Sequence, residues 1–155
     1  STVEPGSSVE ALGPRGRVGV REDVDWHLFV GDDSFAPAAL VMAESLPSDS
    51  RAILALQVDA ADHTQPDAIA ATVEGPRWVL RGAASVDSPA PLVEALSTVV
   101  FPGGPGHAYV GGEHAMVQGL RRYLVERGMT PDSIDAKPYW RVGRQNAAHG
   151  EPDRD

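Results

Sequence analysis

Two short glycine-bearing stretches carry the residue types that could meet a negatively charged ligand. Gly31-Asp32-Asp33-Ser34, leading to Pro37, follows the apolar run Trp26 to Val30, and Gly111-Gly112-Glu113 follows His107 to Val110. A glycine where a strand enters a helix lets a ligand approach the backbone, and the helix N-terminus adds unpaired N–H groups and the positive end of its dipole. Each stretch also has a local explanation: Asp33 or Ser34 as the cap of the next helix, and Glu113 as an acid that the helix dipole favours. Taken singly, capping is the stronger reading of both. The first stretch lacks the further glycines of GxGxxG and is not GxxxxGK[ST], and its two aspartates oppose a pyrophosphate unless they are turned away. Their joint presence in one strand–helix framework strengthens the binding reading, because a flat ligand could bridge them.

Other chemistries find less support. Ser34 sits in Asp32-Asp33-Ser34-Phe35-Ala36, without the glycines of the G-x-S-x-G elbow, so a serine hydrolase is discarded. His27, His63, His107, His114 and His149 show neither HxxxH nor HExxH spacing, and the sequence has no cysteine. No metal site is expected, and thiolate chemistry and disulfides are excluded. Asp59 and Asp62, like Glu151 and Asp153, read as solvated charge. No catalytic residue can be assigned.

One charge pattern stands apart in a chain of formal net charge −9: between Ala136 and Gly150 lie Lys137, Arg141 and Arg144 and no acid. With Tyr139 and Trp140 this stretch could stack and pair with a planar or anionic partner, although a solubilising end to a last strand explains it equally well. Arg77 and Arg81 around Trp78-Val79-Leu80, and Arg121 with Arg122, read as solvated faces. The acidic balance opposes nucleic acid and anionic membranes. Phe35 to Ala43, the longest apolar stretch, is far short of the ~20 residues of a membrane span, so a cytoplasmic protein is expected.

The elements that must position these residues follow from periodicity. The chain has 155 residues and 42% hydrophobic content, enough for one domain with a real core. Residues 1–17 and 145–155 read as a linker and a flexible tail around a domain at 18–144. Within it we expect strands at 26–30 and 51–58, shorter strands at 71–74 and 77–80, and further strands at 107–110 and 133–140. Helices are expected at 37–43, at 90–99 with Leu92, Val93, Leu96 and Val99 on one face, and at 114–127, where Gly128 stops the last. This alternation predicts an α/β fold: a doubly wound, mostly parallel five-stranded sheet with helices on both faces. Ligands of such sheets bind outside the carboxyl ends of the strands, at the switch point.

The motifs Gly13-Pro-Arg-Gly-Arg17, Asp25 to Ala38, Arg77-Trp-Val-Leu-Arg-Gly82, Tyr109-Val-Gly-Gly-Glu113, Arg121-Arg-Tyr-Leu124 and Tyr139-Trp-Arg-Val-Gly-Arg144 occur in this order. The sequence thereby resembles the C-terminal half of siderophore-interacting proteins, flavin-dependent ferric-siderophore reductases related to ferredoxin–NADP reductases. The resemblance implies a fold like the C-terminal nucleotide-binding domain of those reductases. It also implies that the domain brings NADPH or NADH to FAD on an N-terminal β-barrel, and that the flavin then reduces the ferric siderophore and releases iron. Gly31, Asp32 and Pro37 match the family's G-D-E-T-A-L-P loop, Asp33 and Ser34 replace its E and T, and Phe35 and Ala36 depart from it. Gly111, Gly112 and Glu113 stand at its A-G-E turn. The resemblance makes Arg81 the candidate for a 2′-phosphate. It turns Lys137, Tyr139, Trp140, Arg141 and Arg144 toward the flavin domain and the siderophore.

The sequence shows no barrel-like run of strands before Trp26 and no FAD-binding arginine/tyrosine motif, so FAD is expected only through a missing or partner domain. Alone, the chain is expected to be inactive. The competing expectation is a degenerate nucleotide-binding-like domain acting as an interaction or regulatory module, and it turns on whether Phe35 plugs the crevice.

Overall fold

A computed structural model of the chain describes Ser8 and residues 19–64 and 73–144. The expected tails, Ser8 apart, lie outside the described residues, as do Ala71 and Thr72. The chain order is β1 (Trp26–Asp32), α1 (Ala36–Glu44), β2 (Arg51–Val58), β3 (Val73–Leu80), α2 (Ala90–Ser97), β4 (Gly106–Glu113), α3 (His114–Glu126) and β5 (Ile134–Trp140). The five strands form one sheet in the order β3-β2-β1-β4-β5, and every neighbouring pair is parallel. The connection that follows β1 leads to β2 on one side, and the strand on its other side is β4. The gap between β1 and β4 is therefore the switch point, as the alternation of elements predicted.

Side-chain alternation sorts the core into two layers. Trp26, Leu28, Val30, Ile53, Ala55, Ala108 and Val110 point to one face, where Leu92 and Leu96 of α2 and Met116, Val117, Leu120 and Leu124 of α3 cover them. Phe29, Leu54, Leu56 and Tyr109 point to the other face, where Ala39 and Met42 of α1 meet them. Val93 and Val99 join the first layer only in part, although the expected helical face held them with Leu92 and Leu96. After α3, Gly128 takes φ +96, and the N–H groups of Gly128 and Met129 donate to the carbonyls of Val125 and Leu124. This left-handed closure is why the helix ends at that glycine.

Two boundaries correct the sequence-based expectations, and the last strand ends where it was expected to. The described part of the piece expected at 71–74 and the piece expected at 77–80 form the single strand β3, because Gly75 at φ +99 and Pro76 form a bulge opposite Leu54, between the Ile53–Glu74 and Ala55–Arg77 pairs, rather than a break. Gly31 and the Gly111-Gly112-Glu113 stretch are not turns: they are the last rungs of β1 and β4, and Gly31 stands opposite Gly111. β5 keeps its place on the sheet edge up to Trp140, which pairs with Glu113. Tyr139 is the extra residue where the register shifts.

Candidate functional site

The carboxyl ends of β1, β4 and β5 are tied together by one buried carboxylate. Asp32, 5% exposed, accepts through Oδ1 from the Ser34 N–H at 3.0 Å and from the Ser34 hydroxyl at 2.5 Å. Its Oδ2 accepts from the Glu113 N–H at 2.8 Å and from the Trp140 indole Nε1–H at 2.9 Å. Gly112, at φ +130, makes room for this carboxylate: a Cβ there would lie 2.5 Å from the Asp32 Cγ. Asp32 thus spends its acceptors inside the protein and turns away from the rim. Asp33, Ser34 and Pro37 are exposed there.

Neither Asp33 nor Ser34 caps α1. Its N-cap is Phe35, without a side-chain hydrogen bond, because α1 begins at Ala36, while the Ser34 N–H and hydroxyl donate to Asp32. Glu113 does cap α3: its Oε2 accepts from the N–H groups of Ala115 at 2.5 Å and Met116 at 3.0 Å, while its Oε1 accepts from the Val142 N–H at 3.2 Å. The protein's own carboxylate therefore sits where an external anion would meet the N-terminus of α3. That bears out the local reading of Glu113 as an acid that the helix dipole favours.

Gly31 and Gly111 face each other, and the Phe35 ring fills the notch between them. Phe35 is 3% exposed. A Cβ on Gly111 would lie 2.4 Å from the Phe35 Cδ2, and one on Gly31 would lie 2.0 Å from the Gly111 carbonyl oxygen. Both glycines are used for close approach, not for a turn. Tyr139 closes the far side of the ring in an edge-to-face contact, with centroids 6.1 Å apart at 72°. Burial, with Asp32 nearby, pushes its phenol above the usual range. The slot in which a flat ligand was expected to bridge the two stretches is occupied by this side chain.

Arg81 follows β3 at the same carboxyl rim, where its N–H donates to the Val58 carbonyl. Its Nε donates to Asp59 Oδ1 at 2.7 Å and its Nη1 to the Ala84 carbonyl at 2.8 Å. That guanidinium holds the Asp59 carboxyl below its ordinary value. Both residues read from sequence as solvated charge are thus partners in one ion pair. On the opposite side of the rim, Lys137, Arg141 and Arg144 are exposed and Trp140 is 38% exposed. Gly143, at φ +76, lets the Arg144 N–H donate to the Arg141 carbonyl and close a turn. Tyr139 points to the α1 face and the Trp140 indole N–H onto Asp32, so only the charged groups and part of the indole look outward. The pairing of Asp32 with Trp140 spans 108 residues, and no local pattern announces it.

Residues 24–143 match the family described as Siderophore-interacting protein. The chain belongs to that family. An uncharacterized protein of Mycobacterium tuberculosis is 34% identical over 158 residues, covering 90% of this chain and 52% of that protein. The ferric vibriobactin reductase of Vibrio cholerae is 29% identical over 155 residues, covering 96% of this chain and 55% of that protein. Among solved structures, a siderophore utilization protein from T. fusca superposes with TM-score 0.68 at 28% identity, over 84% of this chain and 50% of that one. The siderophore-interacting protein SipS from Aeromonas hydrophila gives 0.65 at 31% identity, over 79% and 48%. The chain thus spans about half the length of the relatives it matches. Among the described residues, no cluster of three or more His, Asp or Glu side chains could hold a metal ion, and no helix is long and apolar enough to cross a membrane.

Proposed function

We propose that this chain is the nicotinamide-dinucleotide-binding part of a cytoplasmic ferric-siderophore reductase. FAD is held by a separate β-barrel domain, of the same longer protein or of a partner. The observation that carries the reading is the switch point between β1 and β4 in a fully parallel sheet, in a chain of the siderophore-interacting family. When bound, NADPH or NADH supplies a hydride to the flavin, and the flavin passes electrons to Fe(III), which hard oxygen ligands hold poorly once it is Fe(II).

The residues present fit a dinucleotide laid across the outer rim, not one sunk between the glycines. Arg81 offers a guanidinium at the end of β3, and Asp33 and Ser34 are exposed at the end of β1. Asp32, fully hydrogen-bonded, ties the three strand ends through the Ser34 and Glu113 N–H groups and the Trp140 indole, and so shapes the platform without contacting the ligand. Trp140 leaves part of its indole exposed beside Arg141, a surface for stacking on the side where flavin and siderophore approach. Phe35 supports the second reading, an interaction or regulatory module without nucleotide, because its ring fills the notch.

Calorimetric titration with NADPH and with NADH separates the two. Saturable binding of either supports the reductase reading. No heat with either nucleotide, both without and with a flavin-loaded barrel domain of a relative, overturns it in favour of the interaction module.

A further inference from the structure

At the amino ends of β1 and β4, away from the rim, lies a group of ionisable side chains that the proposed reaction does not use. His27 and His107 stand opposite each other in register, and both are buried. Neither the His27 Nδ1 nor the His107 Nε2 has a hydrogen-bond partner, although the Asp135 carboxylate stands 3.1 Å from the latter. The Tyr109 ring lies against both imidazoles, at centroid distances of 6.2 Å and 4.8 Å. A neutral imidazole is tolerated in such a place, whereas an imidazolium loses its hydration there.

The segment that enters β1 passes this pair. Val20 packs against the layer that holds Phe29 and Tyr109, and the Arg21 N–H donates to the Tyr109 hydroxyl at 2.7 Å. Farther on, the Asp25 N–H donates to the Pro105 carbonyl at 2.8 Å and fixes the end of the segment beside β4. Arg21 and Asp23 bond to each other in solvent. We propose that residues 19–24 are an acid-released strap: when His27 takes up a proton, the strap lifts off Tyr109 about a hinge at Asp25 and lets water reach the imidazolium. This device lies at the opposite end of the sheet from the rim and holds whether or not the rim takes a nucleotide.

The groups around His27 set the sign of the effect. β4 contributes His107 and Tyr109, β2 places Ala52 in register with His27, and the buried residues of α1 are Ala36, Ala39 and Met42. Asp135 of β5 and Arg21 and Asp23 of the strap have mostly exposed side chains. Burial first, and then His107, hold His27 below its ordinary value of 6.5. Lifting the strap restores that value. The closed strap is therefore favoured above about pH 6.5, and the open fraction rises by up to about tenfold per pH unit as the pH falls from there toward the depressed value. Opening gives up one hydrogen bond, whose two ends then reach water, and the cover of Val20, whereas global unfolding gives up the whole core. It also withdraws Gly19 from the wall of a groove of about 390 Å³ that Phe35, Met42, Tyr109 and Tyr139 line, so acid widens that groove.

Hydrogen exchange of the chain, followed residue by residue by NMR between about pH 7.5 and 5, tests the strap. Protection of the Arg21 amide, corrected for the intrinsic pH dependence of exchange, is expected to hold down to about pH 6.5 and then to fall by up to about tenfold per unit, while Leu28 and Phe29 of β1 keep theirs. Arg21 protection that stays constant to pH 5 overturns the proposal, and so does a loss shared equally by Leu28 and Phe29, which is global unfolding. His27→Gln, which takes up no proton, is expected to abolish the fall, and a fall that persists in this variant overturns the role of His27. Tyr109→Phe supplies a second measurement if His27→Gln does not fold, because it keeps the ring and removes the acceptor that anchors the strap. The His27 imidazole resonance should then titrate closer to 6.5 than in the wild type, and an unchanged titration overturns the coupling of strap and imidazole.

Discussion

Trp140 donates its indole N–H to Asp32 across 108 residues of sequence, at 2.9 Å, and this bond pins the end of the last strand to the end of the first. The same carboxylate holds the Glu113 backbone, so β1, β4 and β5 share one anchor at the switch point. A buried acceptor with four donors is a rigid joint, and its removal would strand the buried Glu113 N–H away from water.

Replacing Asp32 by Ala is therefore expected to destabilise the fold more than replacing Trp140 by Phe. The first change strands the buried Glu113 N–H as well as the indole donor, at about 1–3 kcal/mol per unpaired buried group; the second removes one donor and costs about 0.5–1.5 kcal/mol for the bond. Urea denaturation of the two single variants and the double variant checks this. Additive losses would show that the two side chains are not coupled.

The Phe35 notch yields a compensation experiment. Gly111→Ala places a Cβ 2.4 Å from the Phe35 ring and should cost about 1–3 kcal/mol through overpacking. In a Phe35→Ala background the same change should cost much less, because the atoms it meets are gone. Gly31→Ala should not be rescued in this way, since its Cβ meets the Gly111 carbonyl at 2.0 Å. If the notch is also where a nicotinamide ring would enter, Phe35→Ala should strengthen NAD(P)H binding in calorimetry. Equal losses for Gly111→Ala in both backgrounds would refute the packing account.

These contacts mark where sequence reasoning stops. The runs Trp26 to Val30 and Arg51 to Val58 announced their strands because burial on both faces leaves few polar positions, and Gly128 announced the end of α3 because few other residues adopt its φ. Gly31 and Gly111 were expected as turns because glycine commonly marks them, yet each is needed for close approach of a strand and a ring. Asp33 and Ser34 looked like caps by type, but α1 begins only at Ala36, which puts Phe35 at the cap position. The partnership of Arg81 with Asp59 and that of Trp140 with Asp32 depend on strand order, which local periodicity does not encode.

Arg81 has a ligand role to test against its structural one. Its ion pair with Asp59 is partly solvated, so Arg81→Ala should leave the unfolding midpoint nearly unchanged. If its guanidinium receives a 2′-phosphate, NADPH binding should weaken about tenfold or more while NADH binding holds. Calorimetry with both nucleotides decides it: a parallel loss for the two would assign Arg81 to the fold of the rim alone.

A pH effect follows from His27. Its imidazole is 3% exposed, its Nδ1 has no hydrogen-bond partner, and burial with His107 opposite it on β4 depresses its pKa below 6.5. Asp135 stands 3.1 Å from the His107 Nε2, and the Tyr109 ring lies against both imidazoles. The unfolded chain takes up the His27 proton first, so stability is full above about pH 6.5 and declines as pH falls toward the depressed folded value, by at most about 1.4 kcal/mol per pH unit. His27→Leu should flatten this slope between pH 7 and 5. Urea midpoints across that range test it, and an unchanged slope would place the effect on other groups.

Arg141 and Arg144 flank the turn after β5 with exposed side chains, and only their backbone atoms bond to each other. Replacing both by Ala should leave the fold intact, because exposed substitutions away from caps and cores usually change stability by about 0.5 kcal/mol or less. Their charge has a different consequence. A flavin diphosphate or anionic ferric siderophore approaching a chain of net charge −9 is repelled at long range, and the stretch that holds Lys137, Arg141 and Arg144 without an acid is where that repulsion is locally reversed. In a reconstituted two-domain reductase the double variant should therefore slow flavin oxidation by the ferric siderophore. The deficit should shrink as added salt shortens the Debye length from about 30 Å at 0.01 M toward about 8 Å at 0.15 M. If the arginines only solubilise the end of β5, the rates match wild type at every ionic strength. Stopped-flow traces of the two proteins at low and high salt distinguish the cases: a deficit that persists unchanged at high salt would point to direct contact instead of steering, and superimposable traces would remove the arginines from the reaction.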